Sequence, residues 1–85
     1  MENILKETKL TKLTKLTKRE YETLKYIQMG YSNPEIARIM FVSINTIKAH
    51  ISSILRKLNV KNRVQAAVWY ELYKIKNKKY DKKDE

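Results

Sequence analysis

The run Ser43-Ile44-Asn45-Thr46-Ile47-Lys48-Ala49-His50-Ile51-Ser52-Ser53-Ile54-Leu55-Arg56-Lys57-Leu58 decides the reading of this chain. Its apolar residues Ile47, Ile51, Ile54, Leu55 and Leu58 recur at i, i+4, i+7, i+8 and i+11, the spacing of one helical face. Ser43 stands where an N-cap hydroxyl is needed. The spacing predicts a helix over about 44–58. The opposite face carries Asn45, Lys48, Ala49, Ser52, Ser53 and Arg56, which are small or hydrogen-bonding, include two cations and contain no acid.

Upstream, Ser32-x-x-Glu35 has capping-box form, and Pro34 falls in a first turn where a missing N–H does no harm. It opens a short helix with Ile36, Ala37 and Met40 as its buried stripe, and Phe41-Val42-Ser43 connects it to the longer helix. Earlier still, Thr17-x-x-Glu20 is a second capping box. Its helix buries Leu24 and Ile27, with Tyr21 and Gln28 nearby, and ends at Gly30, a residue free to turn left-handed. Downstream, Asn62-x-x-Gln65 is a looser cap for a fourth helix. That helix carries Ala66, Trp69, Tyr70 and Tyr73 on one side and Val64, Ala67, Val68 and Glu71 on another. No stretch alternates with period 2, so the expected fold is all-α with four helices.

The ends read differently. Thr8-Lys9-Leu10 recurs as Thr11-Lys12-Leu13 and Thr14-Lys15-Leu16, and a period of three matches neither helix nor strand. Residues 1–14 are therefore expected to form a flexible basic arm, residues 15–75 the folded domain, and the charge-rich residues 76–85 a flexible tail.

The chain has 85 residues, with 19 Lys+Arg against 9 Asp+Glu for a formal net charge of +10. That length suits one small domain. With no cysteine and one histidine, a disulfide framework, a thiolate nucleophile and a transition-metal centre are not expected. Gly30 is the only glycine, which excludes a glycine-rich phosphate loop, and no nucleophile–base–acid set is present, so the chain reads as a non-enzyme without a cofactor. His50 stands beside the buried stripe and is expected to be packed or phosphate-facing. Trp69, Tyr70 and Tyr73 are expected in core and interface. The longest apolar run, Ala66–Tyr70, is far shorter than the ~20 residues that cross a bilayer. The start lacks a signal-peptide core, so a cytoplasmic location is expected. Neither end has an amphipathic face suited to a membrane surface.

The charge surplus calls for an acidic partner. Between Glu35 and Glu71 no acid occurs, yet Arg38, Lys48, Arg56, Lys57, Lys61 and Arg63 all fall there. A short helix, a tight connection and a longer helix with an acid-free polar face suggest a helix-turn-helix. Its second helix must present short side chains, so that the backbone can approach base edges in the major groove, and a few donors to reach them. Lys48, Ala49 and Ser52 meet that need: Lys48 can donate to guanine, Ala49 can touch a thymine methyl, and Ser52 can bond to either kind of base. Asn45, Thr46, Ser53, Arg56, Lys57 and Lys61 suit phosphate oxygens, which set register without reading sequence.

Residues 16–67 resemble the LuxR-type helix-turn-helix domain, the family of LuxR, GerE and the output domains of NarL-like response regulators. The resemblance rests on Leu16-Thr17-x-Arg19-Glu20-x-Glu22, Gly30-x-Ser32-Asn33-x-Glu35-Ile36-Ala37, Val42-Ser43-x-x-Thr46-Ile47-Lys48-x-His50-Ile51 and Lys57-Leu58-x-Val60-x-x-Arg63-x-x-Ala66. It implies a four-helix DNA-binding domain whose third helix reads DNA and whose last helix often dimerises. By position it implies base reading by Lys48, Ala49 and Ser52. Asn33, Thr46 and Lys57 match positions that are commonly structural or near the DNA backbone. Val64, Ala67 and Val68 match the dimer face, and Glu71 lies on the same side. Pro34 stands where relatives tend to carry Lys or Ala. About 15 residues precede the first helix, too few for a sensor domain: if Met1 is the native start, the chain resembles the stand-alone GerE-like type, and the alternative is a fragment of a larger regulator.

The expected function is sequence-specific recognition of double-stranded DNA by a homodimeric transcription regulator. The alternative is a protein-interaction module that docks on RNA polymerase or another regulator.

Overall fold

The computed structural model describes residues 12–81, with side chains through residue 76. The described residues contain no strand and the four helices α1 (Lys18–Gln28), α2 (Asn33–Met40), α3 (Ile44–Leu58) and α4 (Arg63–Asp81); residues 12–13 are also helical. The all-α architecture is the one expected, and its helix starts follow the caps. At α1, the Glu20 N–H donates to the Thr17 hydroxyl at 3.1 Å, and the Thr17 N–H donates to Glu20 Oε1 at 3.0 Å. At α2 the same exchange joins Ser32 and Glu35, at 3.3 and 2.8 Å. The Thr46 N–H donates to Ser43 Oγ at 3.0 Å and opens α3. At α4 the Gln65 N–H donates to Asn62 Oδ1 at 2.9 Å, while the Gln65 side chain reaches one residue further back and accepts from the Lys61 N–H at 2.7 Å. Each bond satisfies a backbone donor that the first helical turn leaves orphaned.

α1, α2 and α3 end by one device. The Tyr31 N–H returns to Tyr26 O, the Val42 N–H to Ala37 O and the Val60 N–H to Leu55 O, at 3.1, 3.0 and 3.0 Å. Each closure needs a left-handed residue. Gly30 (φ 92°) and Asn59 (φ 59°) are residues that tolerate it, but Phe41 (φ 59°) is not. Phe41 is also 92% exposed, so no packing offsets its backbone. Phe41→Gly should therefore raise stability by about 0.5–1 kcal/mol, read as a higher urea midpoint at unchanged slope. A lower midpoint would mean that Phe41 is held by contacts the fold needs.

α1 packs on α3 and α4, and α3 packs on α2 and α4. α3 spans two core clusters. Its Ile47 joins Ile27, Ile36, Ala37 and Met40, while its Ile54 and Leu58 join Leu24, Ala66, Trp69, Tyr70 and Leu13. The first cluster fixes α2 against the beginning of α3, and the second fixes the end of α3 to the rest of the domain. Tyr21 and Tyr70 meet edge to face at 5.9 Å and share a 3.0 Å hydroxyl hydrogen bond, which satisfies two polar groups inside an apolar contact. Arg19 Nη2 donates to Met40 O at 3.0 Å, which ties α1 to the last turn of α2.

Two boundaries differ from the sequence expectation. Leu13 is a core residue, and Lys12 Nζ donates to Leu58 O at 3.5 Å, so residues 12–14 belong with the domain rather than with a free arm. The reason is tertiary: α1, α3 and α4 leave an apolar hollow between Leu24, Leu58 and Trp69 that Leu13 fills. At the other end α4 continues to Asp81, past the expected limit at 75. Packing around Ala66 and Tyr70 nucleates this helix, after which each added residue gains a hydrogen bond without a new nucleation cost. No Gly or Pro interrupts residues 64–81. The remainder of the expected arm, 1–11, and of the tail, 82–85, lies outside the described residues.

Candidate nucleic-acid interface

The outer flank of α3 is open. Asn45, Lys48, Ala49, Ser52 and Arg56 are all exposed, as are Ile44 ahead of them and Lys61 beyond the helix. The stripe behind them explains this orientation. Ile47, Ile54 and Leu58 are fully buried, so burying that face turns the other outward. Among the described residues the ion pairs are Arg19–Glu22 and Lys57–Glu20, and no carboxylate pairs with Lys48, Arg56 or Lys61. The flank is thus a cationic surface with small residues at its centre.

Four of the expected phosphate contacts have roles within the fold. Lys57 Nζ donates to Glu20 Oε1 at 2.8 Å across the α1–α3 contact. Burial pushes the Glu20 carboxyl up, but hydrogen bonds from Lys57, the Thr17 backbone and Ser53 outweigh it and hold the pKa down to about 2. Ser53 is half-buried beside this pair. The Thr46 hydroxyl shares a 3.0 Å hydrogen bond with Ser43 Oγ at the start of α3. Asn33 Oδ1 accepts from Arg63 Nη1 at 2.6 Å. Among the described residues, the charged or donor groups with no such engagement are those of Asn45, Lys48, Ser52, Arg56 and Lys61. His50 is half-buried at the edge of the stripe, and no group of His, Asp or Glu suited to a metal ion occurs among the described residues.

A second surface runs along α4. Val64 and Val68 are exposed, as are Leu72 and Ile75, which the sequence reading did not single out. The four recur at i, i+4, i+8 and i+11, so the signal is present in the spacing. Ala67 is half-buried against the α2 cluster. The Glu71 carboxylate accepts from Gln28 Nε2 in α1, and Lys74 Nζ donates to Gln28 Oε1 at 3.3 Å. Ala67 and Glu71 thus face partly into their own domain, whereas Val64, Val68, Leu72 and Ile75 form a bare apolar stripe.

α2, the three residues 41–43 and α3 make a helix-turn-helix, held from behind by α1 and α4. The family described as bacterial regulatory proteins, luxR family, matches residues 14–70, and the chain belongs to this family. It is 49% identical over 51 residues to the CsgBAC operon transcriptional regulatory protein of Escherichia coli (strain K12). It is 50% identical over 51 residues to the response regulator protein VraR of Staphylococcus aureus (strain NCTC 8325 / PS 47). Each match covers 60% of this chain and 24% of the relative, so the chain matches about a quarter of the length of these curated relatives. No helix among the described residues is long and apolar enough to cross a membrane.

Proposed function

We propose that this chain binds double-stranded DNA sequence-specifically as a homodimer and regulates transcription, with α3 in the major groove. The observation that carries this reading is the open, acid-free flank of α3, where Lys48 and Arg56 have no carboxylate partner among the described residues. A cationic surface of one sign gains most from a polyanion, and small residues at its centre let the backbone approach base edges. Lys48, Ala49 and Ser52 read bases. Asn33, Asn45, Thr46, Ser53, Arg56, Lys57 and Lys61 line the approach to phosphates, with Lys57 and Ser53 also holding α3 to α1. The α4 stripe joins two copies and sets the recognition helices on half-sites about one turn, ~10 bp, apart. The names of the E. coli and S. aureus relatives, a transcriptional regulator and a response regulator, agree with this role. This reading carries with it a cytoplasmic location, and RNA polymerase is a candidate further partner.

Selection from a random duplex library at moderate salt tests the proposal, and a palindromic winner is the expected result. On that site Lys48→Ala should cost about 1–3 kcal/mol and relax preference at one base position in each half. An unchanged preference would remove Lys48 from the base-reading set, and absence of duplex binding even at low salt would overturn the function.

A further inference from the structure

Arg63 stands at the first position of α4, on the far side of the domain's sequence from α2, yet its guanidinium bridges to the start of α2. Nη1 donates to Asn33 Oδ1 at 2.6 Å, and Nη2 donates to the carbonyl of Tyr31 at 2.8 Å. A guanidinium has donors only, so the oxygen of the Asn33 amide must face it. The NH2 end of that amide is then turned away from Arg63, and it has no partner among the described residues. Backbone donors nearby are scarce: Pro34 has no N–H, and the Glu35 N–H is taken by Ser32. The Glu35 carboxylate is itself held by the Ser32 N–H. No carboxylate pairs with Arg63 among the described residues, so the fork to Asn33 and Tyr31 is made with neutral oxygens only.

We infer that Arg63 is a positioning residue for DNA binding: by holding Asn33 Oδ1 and the Tyr31 carbonyl, it aims the Asn33 NH2 group at a phosphate beside α2. This rests on the reading of Asn33 as a phosphate contact. In a helix-turn-helix the first helix crosses the sugar–phosphate backbone, where a fixed neutral donor sets register. Without the fork the amide can rotate, and its donor is presented only part of the time. The same fork links the helix bearing the apolar stripe to the DNA-facing side, so the geometry of one constrains the other.

The test is a double-mutant cycle on the full chain, using the selected duplex and reading both affinity and thermal melting. Arg63→Ala and Asn33→Ala should each weaken binding about fivefold, the scale of one hydrogen bond. The double variant should also lose about fivefold, because both changes remove the same contact. A loss near twenty-five-fold in the double variant would show independent roles and overturn the inference. Asn33→Asp keeps the acceptor for Arg63 while removing the donor. It should melt no lower than the wild type yet bind at least as weakly as Asn33→Ala. If Arg63→Ala does not fold, the two Asn33 variants decide: binding equal to wild type in both overturns the inference. Wild-type chain that binds no duplex overturns the functional reading itself, a result distinct from full binding by the Asn33 variants.

Discussion

Val68→Asp is expected to leave the domain folded, abolish self-association and weaken binding to a palindromic site by about 100-fold or more. Val68 lies mid-stripe between Val64 and Leu72 and is 52% exposed, so a carboxylate there is hydrated in the single chain. Changes at such sites ordinarily move stability by no more than about 0.5 kcal/mol. In the proposed dimer the same patch meets itself across a two-fold axis, so the substitution would place two like charges in one apolar seam. Each half-exposed side chain in the stripe contributes roughly 1 kcal/mol when covered, and a buried carboxylate reverses more than that. The loss in DNA binding comes from geometry. Two linked recognition helices make the second half-site an intramolecular event, and a single chain forgoes that advantage. Sedimentation analysis and titration against full and half sites check both halves of the result. The wild-type melting temperature should rise with concentration and that of the variant should not. A variant that still dimerises, or that binds the full site as the wild type does, would place the seam elsewhere.

Glu20→Gln should lower stability by about 1–3 kcal/mol at pH 7, a sizeable share of what a domain this size possesses. The Glu20 pKa is lowered from 4.5 to about 2 by hydrogen bonds that are stronger to its ionised form. A depressed folded-state pKa gives stability that is present in full above the unfolded value, 4.5, and lost as pH falls toward about 2. Gln retains the acceptor that caps Thr17, so the substitution removes the charge and leaves Lys57 without its partner. Urea unfolding at pH 7 and at pH 3 should therefore show a wild type that weakens with acid more than the variant does. Glu35 is also held below the usual carboxylate range, by the backbone and side chain of Ser32, so the wild type-minus-variant difference is the quantity to read. Equal stability at pH 7 would mean that the Lys57 contact contributes nothing net.

The contrast between these predictions follows what was legible in the chain. Thr17, Ser32 and Ser43 with their partners three residues on, and the stripe from Ile47 to Leu58, are local features. They depend on hydrogen bonds and side-chain directions within one or two turns, so the helix starts, the buried face of α3 and therefore its open flank could be read directly. Lys57 read as a phosphate contact because its partner in the fold, Glu20, is 37 residues away. Arg63 carried no assigned role because Asn33 and Tyr31 lie 30 and 32 residues back. Leu13 belonged to a repeat whose period fits no regular structure, and only the hollow between α1, α3 and α4 gives it a place.

Periodicity and capping chemistry by themselves determined four helices and the face that α3 turns outward. Tertiary packing alone decided that Lys57 is paired with Glu20, that Leu13 joins the core and how far α4 runs. The physical reason is range: a cap or a stripe is fixed by neighbours a few residues apart, whereas an ion pair, a fork or a filled hollow exists only after distant helices have docked.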